Sequence, residues 1–142
     1  MLSFRERQAE PLTANEINNL AEKLAVELPH DYKTFLSTSA TGLLTFNLTK
    51  IKIENGVERI GIDSIDCPER VIFFWNNLKD YERFMEHQII PIGDLLSPRT
   101  LCMGYGEHNL NQLFVLATDL EIGQIHETLE GLIAKIEYQK MR

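Results

Sequence analysis

The chain reads as an α+β protein: a mostly antiparallel sheet of about six strands flanked by helices. Three observations carry this expectation. Apolar residues Ile17, Leu20, Leu24 and Leu28 recur at helical spacing in the first quarter of the chain. After Gly42 the apolar period changes from 3.6 to 2. Short apolar runs separated by turn residues then recur in the C-terminal third, before a last helical stripe.

Residues 1–10 are polar and without period, and read as a loose arm on one domain that spans 1–142. Thr13 and Glu16 have the spacing of a capping box, and Leu12 and Ile17 that of a hydrophobic staple. The first helix is expected over 13–28, because a residue before proline is pushed out of the α region and Pro29 follows Leu28. Pro29 and Asp31 open a second helix, to about Thr38, whose Tyr32, Phe35 and Leu36 share one face. Leu44, Phe46, Leu48, Ile51 and Ile53 alternate with polar residues, as in half-buried strands. At Asn55-Gly56 a three-residue loop with left-handed Gly56 pairs Ile53 with Val57 and keeps the faces consistent.

Val71 to Trp75 alone fits a buried strand or a helix. The longer spacing Val71, Trp75, Leu78, Tyr81, Met85 favours a helix from Pro68, broken near Asn76-Asn77 or Asp80. Trp75 is open to two roles, core residue or interface anchor. Ile89 to Ile92 is a short strand in which Pro91 suits an edge or an end. Leu101 to Tyr105 and Leu113 to Ala117 are strands joined by the polar loop 106–112, Thr118 to Gly123 is a turn, and His126 to Lys140 closes the chain as a helix.

Composition narrows the function. With 44% hydrophobic and 25% charged residues the chain is globular in kind. A net charge of −7 is opposite to the basic footprint that nucleic-acid binding needs. No apolar run approaches the ~20 residues that span a bilayer. The start, Met1 to Arg7, carries charge where a signal peptide is apolar. A cytoplasmic protein with neither nucleic acid nor membrane as partner is the expectation. Cys67 and Cys102 are isolated, as small buried thiols usually are.

No constellation for catalysis stands out. His30, His87, His108 and His126 form no metal-ligand pair, and no phosphate-binding glycine loop is present, so neither metal nor cofactor is expected. Cys102, His108 and Asp119 are the one set from which a nucleophile triad can be drawn, but Cys102 lies in an apolar strand pattern that suits a packed thiol better. Charge patterning says more. Between Arg99 and Lys135 there is no Lys or Arg, while Glu107, Asp119, Glu121, Glu127 and Glu130 fall in that span. If the last strands pair in order, Glu107, Asp119 and Glu121 share a rim to which a basic protein is drawn.

The order of motifs resembles that of a known family. Thr13-x-x-Glu16-Ile17-x-x-Leu20, then Leu28-Pro29-x-Asp31-Tyr32-Lys33-x-Phe35-Leu36 and Gly42, is similar to the N-terminal signature of the SUKH superfamily, the Smi–Knr-like proteins. Ile90-Pro91-Ile92-Gly93-Asp94, Leu101-Cys102-Met103 and Phe114-Val115-Leu116 resemble its later strands, and Leu129, Leu132 and Ile133 its closing helix. Departures stand at Ala40-Thr41-Gly42, which keeps one of two usual glycines, at Leu96 to Arg99 and at Ala117. The resemblance implies a non-catalytic binding module. Bacterial members resemble immunity proteins that neutralise toxins, many of them nucleases; the fungal branch resembles regulatory scaffolds of glucan synthesis. The alternative from another class is a small-ligand or catalytic domain working in a sheet cleft. The oligomeric state is open.

Overall fold

The structure is a computed structural model that describes residues 2–138. In chain order the elements are β1 (Phe4–Ala9), α1 (Ala14–Leu24), α2 (His30–Thr38), β2 (Thr41–Leu44), β3 (Asn47–Ile53), β4 (Gly56–Ile60), β5 (Ile62–Ile65) and α3 (Pro68–Leu78). Then come α4 (Glu82–Glu86), β6 (Ile89–Leu95), β7 (Thr100–Gly104), β8 (Leu113–Leu116), β9 (Ile122–Ile125), α5 (Leu129–Lys135) and β10 (Glu137–Tyr138). The class is α+β, and the sheet is larger than the six strands expected. Among the described residues ten strands run in the order β1-β2-β5-β6-β7-β8-β9-β3-β10, with β4 attached to β3. Every pairing is antiparallel.

Several of the extra strands come from segments without an alternating apolar pattern. Residues 4–9, expected in a loose arm, pair with β2 as an edge strand. Backbone pairing holds them, together with Arg5, whose guanidinium donates to the Leu44 carbonyl at 3.2 Å and to Asp63 at 2.9 Å. The pairing depends on Gly42, whose φ is +153° and whose Cβ, if present, would lie 2.3 Å from the Glu6 carbonyl oxygen. The last helix is shorter than the expected 126–140. Thr128 caps α5, which stops at Lys135, and β10 follows; residues past 138 lie outside the described residues.

The helical corner forms by a different break. Thr13 and Glu16 make the full capping box, and Leu12 and Ile17 are buried beside it. However, α1 ends at Leu24, where Ala25 takes a left-handed φ of 56°, one turn before Leu28. Its amide and that of Val26 reach back to carbonyls of the last turn, which closes the helix early. Pro29 then caps α2, and Tyr32, Phe35 and Leu36 are buried with Leu24 and Leu28.

Val71 to Trp75 is helical, and Trp75 belongs to the core. Its ring meets Phe84 and Tyr105 edge-on at 5.9 and 6.2 Å. Pro91, expected at an edge or strand end, lies inside β6 opposite Cys102 of β7, but the ladder with β5 covers only Gly93 to Leu95, so on that side Pro91 has no strand partner to which an N–H is owed. The β6–β7 ladder shifts register just after it, between Pro91 and Gly93.

The β3–β4 turn also differs from expectation. Its loop is Glu54-Asn55, Ile53 stands opposite Gly56 and Lys52 opposite Val57, and Glu54 takes φ 52°. Gln124 pins Glu54 in this state: the Glu54 N–H donates to the Gln124 carbonyl at 2.8 Å, and its carboxylate accepts from the Gln124 N–H at 2.7 Å. Because β4 is exposed on both faces up to Ile60, apolar patterning does not fix its register.

Candidate partner-binding surface

The order β7-β8-β9 decides where the acidic residues of the C-terminal half stand. β8 pairs with β7 from Leu113↔Met103 to Leu116↔Thr100, and with β9 from Leu113↔Ile125 to Leu116↔Ile122. Glu107 lies in the loop that enters β8, and Asp119 and Glu121 in the connection 117–121 that leaves it. The two sets occupy opposite ends of the strand, so the expected shared rim does not form. At the far end the Glu121 N–H donates to Asp119 Oδ1 at 3.0 Å, and Glu121 pairs with Arg83 at 2.9 Å. Both members of that pair are exposed, so it adds little stability, but it offsets one of the two charges.

The loop carrying Glu107 is a built structure rather than a polar tether. Asn109 is buried; its amide donates to the His87 carbonyl at 2.7 Å, and its Oδ1 accepts from the Gly106 N–H at 2.8 Å. Asn111, left-handed at φ 66°, accepts from the Asp31 N–H at 3.1 Å and ties the loop to the start of α2. Leu110 is held out to solvent at 52% exposure. Sequence reading missed Asn109 and Asn111 because an asparagine in a polar loop looks alike whether it is solvated or buried. The one available signal is that asparagine tolerates the left-handed region.

The protein's ionic network lies elsewhere. Asp66 is 1% exposed; its Oδ1 accepts from Ser64 Oγ at 2.7 Å and from Arg70 Nε at 3.2 Å. Arg70 also donates to Asp94 at 3.1 Å. Burial, then the Asp66 charge, push the Asp94 carboxyl upward, while Arg70 works against them. Burial, followed by the charges of Asp66 and Cys67, raises the Tyr32 hydroxyl. Among the described residues, Tyr32 Oη, Thr41 Oγ1 and Asp66 Oδ2 are buried without a hydrogen-bond partner. The Asp66 charge acts on the Tyr32 hydroxyl, which ties the start of α3 electrostatically to α2. None of these residues lines the cleft of about 550 Å³ between α2 and α5.

The conceivable nucleophile triad is dispersed. Cys102 is fully buried in β7, and burial, then the Asp94 charge, push its thiol up. His108 and Asp119 are exposed at opposite ends of β8. Iodoacetamide is therefore expected to modify the half-buried Cys67 in the native protein and Cys102 only after unfolding. Peptide mapping of alkylated native protein checks this; native labelling of Cys102 at the rate of Cys67 would show that the strand opens.

A family model described as the SMI1 / KNR4 family (SUKH-1) matches residues 11–135. No curated protein matches the chain. The matched span starts at the residue before the α1 staple and ends with α5, and so includes the corner, the central strands and the loop of Glu107. With most of its length matched in this way, the chain belongs to the SMI1/KNR4 family, SUKH-1.

Proposed function

We propose that the protein is a non-catalytic binding module of the immunity type, which neutralises a basic toxin domain in the cytoplasm by covering it. The observation that carries this reading is the run without Lys or Arg between Arg99 and Lys135, with five carboxylates in the same span, in a chain of net charge −7. A nuclease toxin must present cationic side chains to the phosphate backbone. An acidic protein that docks there competes with nucleic acid for the same charges. Among the described residues, no helix is long and apolar enough to cross a membrane.

The candidate contact residues Glu107, Asp119 and Glu121 enter this reading as two separate sets, each testable alone. Exposed charges act mainly on encounter. Lys in place of the carboxylate at the docking end should slow association and flatten its salt dependence, with a smaller effect on dissociation. The partner to use is the C-terminal domain of a secreted protein encoded beside this gene. Expression of that domain alone should arrest growth, and coexpression with this chain should restore it. Arrest that persists with both proteins soluble would overturn the immunity reading.

A further inference from the structure

We propose that the face around Leu110 is the docking surface, and that its occupant is a basic, amphipathic segment of the partner protein; this rests on the basic-partner reading above. Three clefts meet on that face. The first lies between α2 and α5, the second between the helical corner and the loop of Glu107, and the third between that loop and the lead into α5. The first two share His30, the second and third share Leu110, and the third and first share Thr128. They therefore form one continuous relief around the Asp31–Asn111 hydrogen bond.

Its chemistry is two-part. Phe35, Leu129 and Ile133 line the α2–α5 cleft, and exposed Leu110 stands at the junction of the other two. Around these apolar groups stand Glu27, Asp31, Glu107, Glu127 and Glu130, against Lys33 as the single Lys or Arg in the lining. Glu127 is held by Lys135 and the Thr128 N–H; the other four carboxylates make no ion pair among the described residues. An apolar seat with an acidic border fits a segment with apolar residues at helical spacing and Lys or Arg on its flanks. A second copy of this chain is disfavoured, because docking face to face sets carboxylates against carboxylates. At the opposite end of β8, Glu121 pairs with Arg83, and neither Glu121 nor Asp119 contributes to the three clefts.

The test is a titration of the isotope-labelled full chain with a helical Lys/Leu peptide of about five turns, beside a scrambled peptide of equal composition, followed by backbone amide shifts. The expected result is saturable change at 30–38, 106–112 and 128–133, with the scrambled peptide about tenfold weaker, or about 1.4 kcal/mol. Leu110→Ser, at an exposed position, should weaken the helical peptide several-fold with the rest of the spectrum unchanged. Raising salt from about 0.05 to about 0.3 M should weaken both peptides. Changes centred on 117–122, or equal affinity for the two peptides, overturn this surface and leave the basic-partner reading standing. Absence of binding by either peptide at low salt counts against both. Concentration-dependent dimerisation abolished by Leu110→Ser would replace the partner with a second copy.

Discussion

Arg70→Met is expected to lower the unfolding free energy by about 3 kcal/mol at neutral pH. Asp66 is buried at 1% exposure and receives one of its two hydrogen bonds from Arg70 Nε; the other comes from Ser64. Methionine keeps much of the apolar stem but loses the guanidinium, which lies over the Phe74 ring at 5.4 Å, so the loss is mainly one of charge. The Arg70 side chain is itself 37% exposed, and water screens part of the interaction, which places the cost at the low end of the range for a broken buried pair. The effect should depend on pH. Burial and Asp66 raise the Asp94 carboxyl in the native state, and Arg70 opposes them. A group with a raised native value binds more protons folded than unfolded, so its contribution to stability falls as pH rises through that window, which opens at the ordinary Asp value of about 3.9. Without Arg70 the window extends upward. The part of the deficit that passes through Asp94 should therefore be smallest near pH 4, grow with rising pH, and level off once Asp94 has ionised in the folded variant. Urea melts of both proteins across this range measure it. A deficit below about 1 kcal/mol at neutral pH would mean that Asp66 does not depend on Arg70, and one that is constant with pH would mean that Arg70 does not hold Asp94 down.

The parts of this fold that were legible in the sequence are those specified by neighbours along the chain. The capping box at Thr13 and Glu16 is one, because its partners are three residues apart. The helix from Pro68 and the strands β7 and β8 are others, because burial of one face or both left a clear period or an apolar run. What escaped was set by distant groups. The edge strand β1 has almost no buried side chain and exists through its pairing with β2. The turn at Glu54 is fixed by Gln124, seventy residues away, against the local preference for Asn-Gly. Asn47 looks like one more polar residue of a strand, yet it is fully buried and exchanges hydrogen bonds with the Ile62 backbone at 2.7 and 2.9 Å, joining β3 to β5. The candidate surface was half legible for the same reason. Charge can be counted in a sequence, so the acidic character of the C-terminal half was visible. Which carboxylates share a face depends on strand direction, and the antiparallel order of β7, β8 and β9 separates Glu107 from Asp119 and Glu121.

Gly93→Ala is expected to cost about 3 kcal/mol or more, at the upper end of overpacking costs. Gly93 sits in β6 opposite Ile65 of β5. A Cβ at this position would lie 2.3 Å from the Ser64 carbonyl oxygen and 3.4 Å from the Ile65 Cα. These are backbone atoms of a fully buried neighbour, so no side-chain rotation relieves the contact. Retreat of β5 is resisted on its other edge, where Gly42 and Leu43 of β2 pair with Ile65 and Ser64. Any such shift also disturbs the Ser64 hydroxyl, which donates to Asp66 and accepts from the Asp94 N–H at 3.3 Å. Gly123→Ala is the control within the same sheet. Its nearest neighbour would be Ile53 Cγ2 at 3.4 Å, an ordinary contact, and its φ is not left-handed. There the loss of unfolded-state freedom should dominate and raise stability by about 0.4–1 kcal/mol. Denaturant melts of the two variants beside the parent give both signs in one experiment. Gly93→Ala within about 1 kcal/mol of the parent would mean that β5 and β6 part easily, and that the close approach at Gly93 is not a fixed feature of the central sheet.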